Sequence, residues 1–387
     1  MTYAAGRRMI DVDSHVIELD DFLHAVATPD EIALLPSMSS QGNLPVNSAA
    51  IDSARGHHAK RQADPEVMAK FEAAILDHTK SGWSRLGAWD PKERSHVLDL
   101  FGYTYQLVLP TFSFHQISHS NDPAVLENGA RLLNRAMAKF CADDDRLMAI
   151  GYVPFSLGPE KAGELLEQAF TDGCYTVMVD TNEPDPDKPS FTHPDFDPVW
   201  ELFATADVPF VVHVAVNGEY DPVSPSFHNN GRVVEKLAGD APGSPLGFMT
   251  LKNSAEMFLS AMILDEVFER TDNLRCISME HGAFWVPSWL HGLDFTANLL
   301  RRVSPRGRAA SEVARERIRF APFAGEPIGW IIENIGPELL LYASDYPHPE
   351  GSGNPIAKFE ATMTACDDAT MNAFYFDNAA RFLRLPA

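Results

Sequence analysis

The chain has 387 residues and 45% hydrophobic content, enough for one large α/β barrel or two ordinary domains with a sizeable core. Lys and Arg total 31 against 54 Asp and Glu, a formal net charge of −23. That balance excludes nucleic acid or an anionic membrane surface as the main partner, but not a small anionic substrate, because a bound metal and a local Arg can reverse the field inside one pocket.

The first predicted element is a strand from Met9 to His15, carrying the run Asp11-Val12-Asp13-Ser14-His15. Strand side chains alternate between faces, so the spacing puts Asp11, Asp13 and His15 on one face. Two carboxylates and an imidazole make no ordinary core, because buried charge is costly unless it is paired or bound to a cation. Two readings stay open at this point: a solvated edge strand with a polar outer face, or a divalent-metal site. Residues 16 to about 90 follow as an insertion. Within it, Ser37 to Asp64 is rich in Ser, Asn, Gly and Ala and is expected to be a mobile loop, with His57 and His58 on the surface. Pro65 to Ser81 is predicted as helix, and another helix opens at Asp90-Pro91.

From there, short apolar strands alternate with amphipathic helices. Strands are predicted at Tyr103–Leu109, Leu147–Val153 and Tyr175–Val179, and helices at Asp122–Asp143, Pro159–Thr171 and Asp195–Ala206. Val208 to Val212 is a strand ending at His213, and a second insertion, 214 to 250, is rich in Gly, Pro, Asn and Ser. A helix over Asn253–Arg270 leads to the strand Leu274–Met279, which ends at Glu280-His281-Gly282. After a helix over Val286–Arg302 come a short strand at Ile318–Ala321 and a helix over Glu326–Ile335. The strand Leu339–Ser344 ends at Asp345-Tyr346-Pro347-His348, and helices at Pro355–Cys366 and Ala369–Leu383 close the chain. Eight strands, each followed by at least one helix, describe a distorted (β/α)8 TIM barrel, read as a single domain over residues 1–387. In such a barrel, catalytic groups gather at the C-terminal strand ends, and both insertions fall on that catalytic face. Four polar strand endings together favour the metal reading.

Cys141, Cys174, Cys276 and Cys366 show no CxxC pairing and read as thiols of a reducing cytoplasm. No apolar stretch precedes Asp11, so no signal peptide is expected, and no run reaches the length of a transmembrane helix.

Ile10-Asp11-Val12-Asp13-Ser14-His15, Asp90-Pro91 through Leu98-Asp99, Val212-His213, Glu280-His281-Gly282, Ser344-Asp345-Tyr346-Pro347-His348 and the closing Asn378-Ala379-Ala380-Arg381 together resemble the amidohydrolase superfamily. Within it, the chain is similar to the amidohydrolase-related branch of aminocarboxymuconate-semialdehyde and γ-resorcylate decarboxylases. The resemblance implies one divalent metal held by Asp13, His15, His213 and Asp345, with His281 as proton donor and Asp345 in the catalytic set. Asp13 stands where the superfamily's general pattern has His. A carboxylate there makes the site harder, favouring Mn2+ or Mg2+ somewhat without excluding Zn2+. Val177-Met178-Val179-Asp180 supplies no Lys for a bridging ligand, which implies a mononuclear centre. Asp11, Glu280 and His348 are expected behind the ligands, although His348 also reads as a cap of the turn made by Pro347 and Pro349.

Candidates for substrate contact are Phe284 and Trp285, with Trp289, by aromatic stacking, and His115, with His119, from the loop after the second strand. Arg94, with Arg319, is a candidate for pairing with a substrate carboxylate. Helix packing explains the aromatics equally well, and surface ion pairs explain the arginines. The expected function is non-oxidative decarboxylation of a small aromatic or unsaturated carboxylic acid. The alternative is hydrolysis of an ester, lactone, amide or C–C bond by metal-activated water, and a non-catalytic binding barrel is the remote third. The expected partner is a small carboxylic acid, with a homodimer left open.

Overall fold

The computed structural model describes residues 2–40, 44–45, 48–77, 82–183, 185–214, 223–231, 245–348 and 351–386. Strands β1 (Ile10–His15), β2 (Tyr105–Leu109), β3 (Leu147–Val153), β4 (Thr176–Val179), β5 (Phe210–Val212), β6 (Cys276–Ser278) and β7 (Ile318–Phe320) form one sheet whose spatial order is their chain order. All neighbouring pairs are parallel. Helices cover the outside, so the strands are apolar and buried on both faces, as parallel strands require.

The eighth expected strand does not form a regular ladder. It runs as an extended segment with isolated parallel bridges from Leu340 to Phe320 and from Tyr346 to Ser14. Leu341 N–H donates to Phe320 O at 3.0 Å, and Val12 N–H donates to Tyr342 O at 3.0 Å. The segment therefore spans from β7 to β1 and closes the ring. The architecture is a distorted TIM barrel. Within β1 the register against β2 slips between Asp11 and Ser14, so strict alternation does not run through the Asp-x-Asp-x-His stretch; one extra residue on β1 is the cause.

Local chemistry sets the helix boundaries. Asp90 accepts from Glu93 N–H at 2.8 Å and Pro91 opens the helix Pro91–Phe101, which Gly102 ends at φ 77°. Asp122 caps Pro123–Cys141 in the same way. The expected helix Asn253–Arg270 is broken into Asn253–Leu264 and Val267–Arg270 by Glu266 at φ 60°. Short helices at Pro29–Ala33, Phe112–Ser118 and Ala310–Arg317 went unforeseen.

The polar stretch 37–64 requires the largest correction. It carries a 16-residue helix, Ser48–Ala63, followed by Pro65–Ala73 in place of the longer helix expected to Ser81. Residues 41–43, 46–47 and 78–81 lie outside the described residues. Tertiary pairing holds this helix, because its few apolar side chains give it no clear apolar face. Arg61 donates from Nε and Nη2 to the two oxygens of Glu93, both at 2.6 Å, with both side chains buried. Gln62 and the amide of Gly87 complete the same carboxylate. His58, expected on the surface, is half-buried 3.4 Å from Asp90 Oδ2, its ring centroid 4.6 Å from that of Trp89. Within 214–250, short helices occur at Pro225–His228 and Pro245–Thr250; residues 215–222 and 232–244 lie outside the described residues.

Arg61→Ala leaves the Glu93 carboxylate buried without its cation. We expect a loss of roughly 3–5 kcal/mol of unfolding free energy, read as a fall in the urea midpoint. An unchanged midpoint would show that the helix is held by other contacts.

Candidate metal centre

The ends of β1, β5 and β6 and the segment closing the ring bring their polar side chains together. Asp13 Oδ1 lies 3.3 Å from His15 Nε2 and 3.8 Å from His213 Nε2. Asp345 Oδ1 lies 3.7 Å from His15 Nε2. Two overlapping groups result, Asp13–His15–His213 and His15–Asp345–His348, each with ligand atoms within 4.8 Å of one another. Separations of this size match ligands arranged around one ion bound at about 2.1 Å. Asp13 Oδ1 and His15 Nε2 are buried and make no hydrogen bond. Such atoms are costly unless a cation takes their lone pairs, so the residues fit a divalent metal.

The outer ring nitrogens are engaged. His15 Nδ1 faces Pro110 O at 3.4 Å and Thr111 Oγ1 at 3.3 Å, His213 Nδ1 faces Val214 O at 2.9 Å, and His281 Nδ1 faces Ser278 Oγ at 3.1 Å. Holding Nδ1 outward turns Nε2 of His15 and His213 toward the cluster, the usual way in which a backbone acceptor orients a metal-binding imidazole. Burial, with His348 next, lowers the pKa of His15 and keeps it neutral, the form that binds metal. For Asp13, burial opposes the charge, but His15 and His213 outweigh it and hold the carboxyl below the usual range.

The supporting residues have defined contacts. Asp11 accepts from Ser344 N–H at 2.8 Å, Ser344 Oγ at 2.6 Å and Gln106 Nε2 at 2.8 Å; burial pushes its pKa up to about 7. His348 stacks on His15 at 3.9 Å, meets Thr111 Oγ1 at 2.9 Å and turns Nδ1 to Asp345 Oδ1 at 3.1 Å. Its ring thus backs two candidate ligands, beyond any capping of the turn. Glu280, at φ 56°, places Oε2 3.2 Å from His213 Nε2. His281 is buried and belongs to neither ligand group. Burial, then the charge of a protonated His213, pushes its pKa down to about 3. Gly282, at φ 65°, turns the chain after His281; a Cβ there would lie 2.7 Å from Glu326 Oε1.

A cavity of about 170 Å³ opens on this cluster, lined by Asp13, Glu280 and Asp345 below and by Phe248, Pro322 and Phe323 among its walls. The substrate-contact candidates fall elsewhere. Phe284 is 56% exposed and packs against Trp330. Trp285 is buried against Trp289 and Phe320 in the helix–barrel layer. His115, on the helix Phe112–Ser118, is buried beside His119, and neither lines the cavity. Arg94 is wholly buried, away from substrate and solvent alike: it donates to the carbonyls of His15 and Gly87 and to Gln106 Oε1. Arg319 lies over the Phe382 ring and donates to Arg315 O and Ile318 O. Sequence reasoning missed Phe323, although it follows β7 at the strand-end position that marked the other site residues, and Phe248, inside the second insertion.

The family described as amidohydrolase matches residues 10–385. The chain belongs to the amidohydrolase family. A search of curated proteins finds no match. Among solved structures, an amidohydrolase from Mycobacterium avium subsp. paratuberculosis is similar at TM-score 0.72 and 22% identity, covering 98% of this chain and 99% of that one. The 5-carboxyvanillate decarboxylase of Sphingomonas paucimobilis is similar at TM-score 0.63 and 17% identity, covering 98% and 100%. A dihydroxybenzoic acid decarboxylase from Polaromonas sp., with bound manganese and the inhibitor 2-nitroresorcinol, is similar at 0.64 and 16%, covering 98% and 97%. At these identities the likeness shows the amidohydrolase fold. Among the described residues, no helix is long and apolar enough to cross a membrane.

Asp13→Asn and His213→Ala should each abolish stoichiometric metal in the purified amidohydrolase, while Arg319→Ala keeps it; elemental analysis decides. Undiminished metal in either site variant would remove that residue from the ligand set. A second expectation concerns acid. The folded-state pKa of His281 lies near 3 against an ordinary 6.5, so the unfolded chain binds the proton first. The stability this group contributes is present above pH 6.5 and is lost as pH falls toward 3. Metal-free wild-type protein should therefore lose stability across that window more steeply than His281→Asn, measured by urea unfolding at a series of pH values. Equal slopes would contradict it.

Proposed function

We propose that the chain is a divalent-metal-dependent decarboxylase acting on a small aromatic or unsaturated carboxylic acid. The observation that carries this reading is the pair of ligand groups that share His15, Asp13–His15–His213 and His15–Asp345–His348, whose Asp13 and Asp345 line an apolar cavity, with His281 buried nearby. Asp13, His15, His213 and Asp345 would hold the ion, Mn2+ or Zn2+, with Mg2+ also compatible; when bound, it supplies Lewis-acid charge that orients the acid and offsets developing negative charge. The decarboxylases of similar fold, one with bound manganese, support the choice of reaction and metal. The cavity is of single-ring size, since about 150 Å³ suffices to hold benzene. Phe248 and Phe323, with ring centroids 5.5 Å apart, offer apolar walls to a planar acid.

His281 is the proton carrier in this scheme. Its low pKa makes it neutral until an anion enters, and a bound carboxylate raises its proton affinity. The imidazolium then protonates the carbon bearing the carboxylate. The C–C bond breaks, its electron pair returns to the ring system, CO2 departs, and imidazole regains a proton from solvent. Ser278 Oγ at Nδ1 fixes the ring for that transfer. Four unpaired thiols support a reducing, cytoplasmic setting.

One observation favours hydrolysis as the second reading: the Glu280 carboxylate lines the cavity 3.2 Å from His213 Nε2, where a general base for water would sit. Isotopes separate the two. Decarboxylation places solvent deuterium at the carbon that lost CO2, whereas hydrolysis places heavy oxygen from water in a product. We expect deuterium and CO2 from a panel of hydroxybenzoates, and His281→Asn should retain metal while losing turnover by about 10²-fold or more. Heavy oxygen in a cleaved ester, lactone or amide, with no CO2 from any acid, would overturn the decarboxylase reading and leave the metal site standing.

A further inference from the structure

The helix Val286–Leu300 is apolar on both of its sides. Inward, Val286, Trp289, Leu290 and Leu293 pack into the helix–barrel layer. Outward, one stripe runs from Phe284 through Ser288, Gly292, Phe295 and Leu299 to Val303; Phe295 and Leu299 are 69% exposed and Val303 80%. Residues three and four apart share a helix face, so these positions form one band about 30 Å long. Trp330, on the helix Ile328–Ile335, widens the band, its ring centroid 5.2 Å from that of Phe284. Of the twelve large apolar side chains exposed among the described residues, six lie on or beside this band. Single exposed apolar residues are ordinary, but a contiguous band marks a contact surface, and a helix apolar all round belongs between two packed layers.

Charge selects the occupant. The chain has 54 acidic residues in 387, yet residues 284–303 hold one, Asp294, whose carboxylate is turned to Ser311 and accepts from its N–H at 2.9 Å and Oγ at 2.7 Å. At the far end of the band, Arg301 and Arg302 are exposed and make no ion pair among the described residues. At the near end, Glu333, one turn after Trp330, is likewise exposed and makes none. We propose that the band is the interface of a homodimer, in which two copies of this helix pack antiparallel about a two-fold axis between Gly292 and Phe295. One register then satisfies the whole face. Phe295 of each copy seats over the partner's Gly292, where a Cβ would meet nothing within 4 Å. Leu299 faces the partner's Ser288, and Val303 faces the partner's Phe284. The same register carries Arg301 and Arg302 to the partner's Phe284, Trp330 and Glu333, so that each cation finds aromatic faces and an opposite charge, twice over. Residue i meeting j while j meets i is what a two-fold interface requires. An anionic bilayer would also suit the arginines, but the net charge of −23 repels it. A band of this length and about 10 Å width is small beside the roughly 800 Å² per partner of a standard interface, so the dimer is a weak one with a micromolar Kd.

The test is sedimentation velocity of the Mn2+-loaded full chain from about 1 to 100 µM, the range that brackets a weak interface of this size. Wild type should pass from monomer to dimer across that range. Phe295→Asp and Leu299→Asp should each weaken association by about tenfold or more, as buried apolar anchors do, with urea midpoints that match wild type. Leu34→Asp, at an exposed leucine of the first insertion, should leave association unchanged. Register is read separately by oxidising a Ser288→Cys/Leu299→Cys double variant, which should run as a cross-linked dimer on a non-reducing gel, while either single variant gives little. A monomer throughout the range, a dimer indifferent to both band variants, or single variants that cross-link as fully as the double would each overturn the inference. So would a monomer that cosediments with phosphatidylserine vesicles and loses them in Phe295→Asp, which would give the band to a membrane surface. None of these readouts requires turnover, so they stand or fall apart from the decarboxylase reading.

Discussion

The site depends on how the eighth segment is tied to β1. Asp345 N–H donates to Asp13 O at 2.9 Å, and His15 N–H donates to Tyr346 O at 2.7 Å. Asp11 takes both the amide and the hydroxyl of Ser344. These bonds close the barrel and, in the same act, force the carboxylates of Asp13 and Asp345 to within 4 Å of one imidazole. Two carboxylates in that space repel each other and have lost water, so the closure is stable only where a cation or protons offset them. Barrel closure and metal binding are therefore one problem in this chain.

Two carboxyl groups, Glu18 fully buried and Glu326 partly so, solve the matching problem of the loops. Glu18 accepts from the amides of Thr111, Phe112 and Ser113, and so fixes Thr111, whose hydroxyl meets both His15 and His348. Glu326 accepts from Ala283, Phe284 and Phe323, joining the turn after His281 to the cavity wall. Each carboxyl accepts from three loop N–H groups that would otherwise lie unpaired, and those bonds oppose the rise in its pKa that burial imposes. Glu280 and Asp345 both sit at positive φ, a conformation that non-glycine side chains rarely adopt and that is tolerated where surrounding contacts over-determine it. Arg94, from the helix Pro91–Phe101, holds the His15 carbonyl at the end of β1.

The barrel and its polar strand endings were legible because their signals are local. Short β-rich apolar runs ending at His213 and His281 state a buried parallel strand and its exit in a few residues, whereas the run ending at Asp345 forms an extended closing segment held by isolated bridges. The helix Ser48–Ala63 was not legible, because it lacks a clear apolar stripe and is held by Arg61 on Glu93, 32 positions away. Phe284 and Trp285 misled for the opposite reason. Aromatics after a strand end look the same in a sequence whether they turn into the cavity, as Phe323 does after β7, or onto a neighbouring helix.

The sequence by itself determined the alternation of strand and helix, the residue types that reach the catalytic face and the acidic character of the whole chain. Each of these depends on composition or on spacing along one element. Only the tertiary structure decided which of those residues meet. It set His15 where two groups overlap, Asp13–His15–His213 and His15–Asp345–His348, and moved Arg94 into the interior. Such meetings join segments more than 300 residues apart, and chain closure over that span depends on packing and backbone pairing rather than on any local preference.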